Sequence, residues 1–243
     1  MGKPQTKDSL GDRCKRYEAS TQFTLLPRSP LFLRVDGRAF HTWTKQMGCV
    51  RPYDLDLITS MIEATRFTAD EMSGFKLAYV QSDEATFMLT DYDTVNTQGW
   101  FGYNLNKVVS ICASAFTARF NQVYPALMGR LHQGPGALAM FDCRAFTVPE
   151  NDAANVFLWR QKDWVRNSVQ MLAQAHFSHK ELHKKKVVDM HEMLHGKGVN
   201  WTNQPDVVKN GAYVLSLTDV RYDIQPHYPH VETLLNEALG RTR

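Results

Sequence analysis

Residues 77 to 89, LAYVQSDEATFML, place the strongest constraint on how this chain folds. The Leu, Ala, Tyr, Val, Phe and Met residues on either side read as two buried strands, and Ser82, Asp83 and Glu84 interrupt them. Adjacent carboxylates repel each other at neutral pH and gain nothing from a sheet. A bend that keeps both is expected where negative charge has a use.

The flanking segments say where that bend lies. PLFLRVDGRAF opens with an apolar run, 31 to 35, that stops at Asp36-Gly37, as a strand does on meeting a loop. Between 54 and 73 the apolar positions Leu57, Ile58, Met61, Ile62, Ala69 and Met72 recur at three- and four-residue spacing, which predicts an amphipathic helix closed by Gly74. Strands are predicted at 75–81 and 85–90, a helix at 99–120 and a fourth strand at 137–148. The order is β-α-β-β-α-β, the ferredoxin-like pattern of an α+β domain. If the first helix returns the chain parallel to its starting strand in one sheet, Asp36 comes to the same sheet edge as Asp83 and Glu84. Three carboxylates there call for cations between them, and an all-oxygen site suits Mg²⁺. The plainer reading of each motif is a solvated acidic turn.

After Pro149 the pattern changes to one long helical stretch and a basic, histidine-dense segment, HKELHKKKVVDMHEMLH, with a short strand near 212–217. Two units are expected, 1–150 as the sheet domain and 151–243 as a C-terminal helical extension.

Composition excludes more than it selects. A formal net charge of +3 permits nucleic-acid binding without arguing for it. Four scattered cysteines, with no C-x-x-C pair, suggest reduced thiols in a cytoplasmic protein. No apolar run approaches the roughly 18 residues that span a bilayer, so no membrane role is expected. MGKPQT fits the short myristoylation pattern M-G-x-x-x-[ST].

Three further motifs bear on chemistry. DGRAFHTWTK, 36 to 45, can present backbone N–H groups to a triphosphate; Gly37 allows close approach, and Arg38 is a candidate phosphate partner. HEMLHGKG, 191 to 198, contains the zinc-protease pattern H-E-x-x-H, yet Trp201 stands where the longer form places its third histidine. His176, His179 and His183 are expected on one helix face beside Lys184, Lys185 and Lys186, a basic run able to touch phosphate.

RVDGRAFHTWTK together with YVQSDEATF resembles the tRNA(His) guanylyltransferase family and its 3′-to-5′ polymerase relatives. The resemblance continues in order through SLGDRCKRYE, RPYD, NKVVSICASAF, FDCRAF, WRQKD and KNGAYV, covering nearly the whole chain. It implies a palm-like domain that extends RNA at its 5′ end, with tRNA and nucleoside triphosphates (ATP and GTP) as substrates. Two Mg²⁺ ions would sit on Asp36, the Gly37 carbonyl and Asp83, with Glu84 as a third catalytic acid. Nucleotide contacts would fall to Arg38, Ala39, Phe40, His41 and Ser82, and phosphate contacts to Arg51 and Lys107. A homotetramer or homodimer is implied as well.

Two departures narrow the resemblance. Tyr103 and Asn104 stand where an arginine pair often precedes the family's helix lysine, and Val165-Arg166-Asn167-Ser168 replace the eukaryotic His-Ile-Asn-Asn signature. The chain therefore looks more like the template-reading relatives than the dedicated guanylyltransferases. Palm carboxylates also serve nucleotide cyclases and cyclic-dinucleotide synthetases, and the fold can persist as a non-catalytic RNA-binding module.

Overall fold

A computed structural model describes residues 9–129 and 138–241. The MGKPQT pattern and residue 137, where the fourth strand is expected to begin, lie outside the described residues. Among those residues six strands form one sheet: β1 (Leu31–Gly37), β2 (Phe75–Gln81), β3 (Glu84–Leu89), β4 (Phe141–Thr147), β5 (Ala212–Val214) and β6 (Val220–Arg221). Their order is β4-β1-β3-β2-β5-β6, and each neighbouring pair is antiparallel. Because β3 lies between β1 and β2 and opposes both, β1 and β2 run in the same direction. The expected mixed α+β palm architecture is present.

Strand alternation divides the side chains between two cores. Leu31, Leu33 and Val35 of β1 face α3 (Leu55–Asp70) and α4 (Leu105–Leu127), where Phe87, Phe116 and Phe120 complete a fully buried cluster. Phe32 points the other way, against Phe157 of α5 (Ala153–His176) and Leu234 of α9 (Tyr228–Ala238). With both faces covered, the central strands need apolar residues on both sides, which explains the nearly unbroken runs of β2 and β3. Each buried Phe or Leu contributes roughly 1.5–3 kcal/mol.

Capping fixes the helices that approach the acidic edge. Asp54 accepts a hydrogen bond from the Leu57 N–H at 2.9 Å and so starts α3, while its second oxygen accepts from the Val50 N–H at 2.8 Å. The helix predicted from residue 99 starts only at Leu105: Phe101 and Gly102 take left-handed conformations, and Asn104 caps the new start through the Lys107 N–H. A short helix, α2 (Phe40–Met47), occupies what reads in the sequence as a loop after Gly37, and it buries Phe40 and Trp43.

The chain beyond residue 150 is only partly helical, since it also lays β5 beside β2. The second half of α5 packs Val169 and Leu172 against Met190 and Leu194 of α7 (Val187–Gly196). The expected shared face of His176, His179 and His183 does not exist. α5 ends at His176, Phe177 is extended, Ser178 caps the separate four-residue α6 (His179–Leu182), and His183 lies beyond it. No helix among the described residues is long and apolar enough to cross a membrane.

Candidate active site

The acidic bend is a two-residue hairpin turn, Ser82-Asp83, between β2 and β3. Ser82 has φ +48°, the left-handed region that glycine fills most cheaply, so a side chain is kept there at a cost in backbone strain. Its hydroxyl donates to the Asp83 carboxylate at 2.9 Å. Across the strand pair Asp36 is in register with Glu84, and the Gly37 N–H donates to the Asp83 carbonyl at 3.0 Å. A Cβ on Gly37 would meet the Phe40 ring at 2.4 Å and the Asp83 Cβ at 3.0 Å, so only glycine lets the two segments close. The structure thus brings Asp36, Gly37, Ser82, Asp83 and Glu84 to one sheet edge.

The three carboxylates are not equivalent. Both Glu84 oxygens are taken by Arg160 of α5, at 2.6 Å from Nε and 2.7 Å from Nη2, in a bidentate pair with both side chains buried. Burial pushes the Glu84 carboxyl up, while Arg160 and then Arg34 pull it down. The expectation that cations must separate three ionised acids is met in part by the chain itself, because Arg160 is the cation for Glu84. Among the described residues Asp83 has no such partner. Burial raises its carboxyl first, the Ser82 hydroxyl and its own N–H lower it, and the Asp36 carboxylate raises it further.

Beside this edge lies a cavity of about 360 Å³. It is lined by Phe40, His41 and Thr44 of α2, Arg51 to Asp54 of the connection to α3, Trp164, Met171 and Gln174 of α5, and Ser82 and Asp83 of the turn. The Tyr53 hydroxyl donates to the Ser168 carbonyl at 2.6 Å, which ties the α2–α3 connection to α5 across the cavity. The Arg51–Pro52 peptide in this connection is cis.

Of the residues expected to contact nucleotide, Phe40, His41, Arg51, Ser82 and Asp83 line this cavity. Ala39, in the left-handed conformation, precedes α2, and the Arg38 N–H donates to the Met140 carbonyl at 2.8 Å just before β4; neither residue is among those lining the cavity. Lys107 is not brought to the site. Asn121 pins the C-terminal part of α4 to Ala139, at the carboxylate end of β4, whereas Lys107 lies about 21 Å back along the helix at roughly 1.5 Å per residue.

Asp36, Asp83 and the Gly37 carbonyl are hard oxygen donors suited to Mg²⁺. Among the described residues no three or more His, Cys, Asp or Glu side chains are grouped to hold a metal. A pair of carboxylates fits Mg²⁺ nonetheless, since that ion usually keeps waters and substrate phosphates as its other ligands. The repulsion between Asp36 and Asp83 is the feature that a cation would relieve.

The H-E-x-x-H segment falls on α7, where Leu194 is buried and His195 exposed. Trp201 packs edge-on to His191, with ring centroids 5.7 Å apart, and its indole N–H donates to the Ser168 hydroxyl. The position of a third ligand is therefore filled by a structural indole. Elemental analysis of untagged protein is expected to find less than about 0.1 zinc per chain, and Glu192→Gln to leave activity unchanged. Stoichiometric zinc lost on His191→Ala would reverse that assignment.

Residues 11–149 match the family described as tRNAHis guanylyltransferase. The tRNA(His) guanylyltransferase of Schizosaccharomyces pombe is 28% identical over 212 residues, covering 82% of this chain and 77% of that protein. A solved bacterial tRNA(His) guanylyltransferase (Thg1)-like protein in complex with ATP is 39% identical, with TM-score 0.85 over 93% of this chain and 99% of the other. One in complex with GTP is 35% identical, with TM-score 0.78 over 95% and 99%. The Saccharomyces cerevisiae enzyme, at 20% identity and TM-score 0.76 over 88% and 95%, shares the fold.

Proposed function

Because the chain belongs to the tRNA(His) guanylyltransferase family, a family of nucleotidyltransferases, we propose that it adds nucleotides to the 5′ end of tRNA or tRNA-like RNA in the 3′-to-5′ direction with Mg²⁺. The observation that carries this reading is that Ser82 and Asp83 line the cavity and form the turn leading into β3, whose first residue, Glu84, is in register with Asp36. A nucleotide in the cavity has its phosphates at the two aspartates. ATP or GTP fits there, with Phe40, His41, Arg51 and Ser82 as contacts and Arg38 and Ala39 on the segment leading into α2.

The reaction has two displacements. A 5′-monophosphate oxygen of the RNA attacks the α-phosphorus of ATP and expels pyrophosphate. The 3′-hydroxyl of an incoming GTP then attacks the RNA's 5′ phosphorus, forms the new phosphodiester and expels AMP. When bound on Asp36, Asp83 and the Gly37 carbonyl, Mg²⁺ neutralises phosphate charge and acidifies the attacking hydroxyl. Asp36 and Asp83 hold the negative charge that fixes the site, and the Glu84–Arg160 pair anchors the hairpin to α5. Lys107 serves this reaction only if a second copy brings it to the site, which suits a homotetramer or homodimer. Residues 1–150 would be the catalytic palm and 151–243 the extension that closes the cavity. The four unbridged cysteines favour a reducing, cytoplasmic setting.

Labelled ATP or GTP, incubated with and without 5′-monophosphorylated tRNA, tests the proposal. Label transfer to RNA is expected. A cyclic nucleotide formed without RNA would instead indicate a cyclase, and RNA binding without turnover a non-catalytic module.

The segment 165–168 bears on template use. The Ser168 carbonyl accepts from Tyr53, the Ser168 hydroxyl accepts from Trp201, and Arg166 pairs with Asp163. The Tyr53 and Trp201 bonds tie α5 to its neighbours and the Arg166–Asp163 pair lies within the helix, so on this reading pairing with the opposite strand positions the incoming 3′-hydroxyl. A misplacement of about 1 Å costs about 100-fold. With GTP and two 5′-truncated RNAs differing only in the opposing base, C is expected to outpace A by at least about tenfold, roughly 1.4 kcal/mol in barrier. Equal rates would remove template dependence.

A further inference from the structure

The sheet face partly covered by α5 carries a second polar surface next to Asp36, separate from the cavity. Arg34 and Asp36 of β1 alternate with core-facing Val35, and register places them opposite Arg144 and Asp142 of β4. Two guanidiniums directly opposite on neighbouring strands repel each other. Neither is well satisfied among the described residues. Arg34 reaches Glu84 only at 3.9 Å, and its buried Nε has no hydrogen-bond partner among the described residues. Arg144, 53% exposed, stands 3.6 Å from Asp36 and 3.6 Å from Asp142, too far for a good hydrogen bond.

Trp159 lies against Arg160 and, at longer range, Arg34. It is 55% exposed although Leu158 and Arg160 on either side are buried. Its ring lies 4.6 Å from the Arg160 guanidinium carbon and 6.0 Å from that of Arg34. Glu84 grips Arg160 at both oxygens, so the cation against the indole is held in place. A half-exposed indole against a fixed guanidinium, with the under-bonded Arg34 nearby and Arg144 across the strand pair from it, is the composition that binds single-stranded nucleic acid: a π-face for a base and guanidinium donors for its phosphate. Arg34 lies two residues before Asp36 on the same face, about 7 Å along the strand, within reach of one nucleotide.

A reaction between a nucleotide and an RNA end needs two approaches to the same aspartates. The cavity, at about 360 Å³, has room for a single small ligand, and the Trp159 surface is a separate approach to Asp36. We propose that Trp159 is the stacking platform for the terminal base at the RNA's 5′ end, with Arg34 and Arg144 holding its phosphate beside Asp36. This rests on the 5′-end transfer reading above.

Two measurements on Trp159→Ala and Trp159→Phe test it. In the first, steady-state transfer is followed against 5′-monophosphorylated RNA concentration. Trp159→Ala is expected to raise KM for RNA about tenfold or more, Trp159→Phe to restore most of it, and both to keep wild-type affinity for ATP and wild-type Tm. An RNA KM within twofold of wild type for Trp159→Ala, or equal losses in both variants, would overturn the platform. In the second, a 5′-monophosphorylated oligonucleotide without activating nucleotide is titrated while indole fluorescence is read. Quenching in the wild type that disappears in Trp159→Phe supports stacking, and quenching equal in the two proteins refutes it. This binding readout needs no turnover, so failure of the transfer reaction is told apart from failure of the platform.

Discussion

Asp83→Ala is expected to lower nucleotidyl transfer by more than roughly 10³-fold at fixed magnesium, because under the proposed function several kcal/mol of transition-state stabilisation would depend on a cation held by this carboxylate and Asp36. Activity within tenfold of wild type would contradict the assignment of Asp83. The loss should not come from unfolding. Burial, with Asp36 adding to it, raises the Asp83 carboxyl above its usual range, so the native chain keeps this proton to higher pH than the unfolded chain does. As pH rises through the window between the unfolded and native values, the unfolded aspartate ionises freely and the native one at a cost, so this group makes the fold less stable. Asp83→Asn removes that cost while keeping the shape of the side chain. Without magnesium, its Tm is expected to exceed the wild type's at neutral pH and to match it below the ordinary carboxylate range. A Tm deficit that is largest at neutral pH would show that the charge stabilises the hairpin instead.

Arg160→Met carries the largest expected effect on stability. It leaves Glu84 buried without its cation, and breaking a buried pair from one side costs about 3–5 kcal/mol. For a chain of this size that lowers Tm by on the order of 10 °C. Burial already raises the Glu84 carboxyl with Arg160 in place, and losing Arg160 raises it further, so the deficit should shrink as pH falls toward the ordinary glutamate range from above, where Glu84 of the variant takes up its proton first. The double variant Glu84→Gln/Arg160→Met should recover a good part of the loss, as removing both members of a buried pair is far cheaper than removing one. A single variant melting within about 2 °C of wild type at neutral pH would show that the pair is not holding the hairpin to α5.

The acidic edge was legible because period and punctuation agree there. Apolar runs that stop abruptly at Asp36-Gly37 and at Ser82-Asp83-Glu84, with an amphipathic helix between them, determine strand direction before any contact is known. Arg160 was less legible, though a signal existed. It lies three residues after Phe157 and four before Trp164, on the buried stripe of α5, and a cation in such a stripe implies a buried anion. Which anion depends on how α5 crosses the sheet, and spacing along the chain does not contain that. The cavity failed to show for the same reason: α2 and the 49–54 connection that follows it lie far in sequence from α5, and the Tyr53–Ser168 bond that gathers them joins residues 115 positions apart. Lys107 shows the opposite error. A residue belonging to a motif was expected near the acids, but the helix carrying it is anchored at the acidic edge by its other end.

Direction of growth is the property that separates this reaction from ordinary polymerisation, and a blocked RNA reads it directly. A 5′-truncated, 5′-monophosphorylated tRNA whose 3′ terminus has been oxidised so that it carries no 3′-hydroxyl is supplied with ATP, Mg²⁺ and α-labelled GTP, and the product is digested to locate the label. Addition at the palm carboxylates predicts a product one nucleotide longer, labelled at its 5′ end, in wild type and none with Asp83→Ala. Label that enters only RNA with an intact 3′-hydroxyl would contradict 3′-to-5′ addition and assign these carboxylates to conventional 3′-end chemistry.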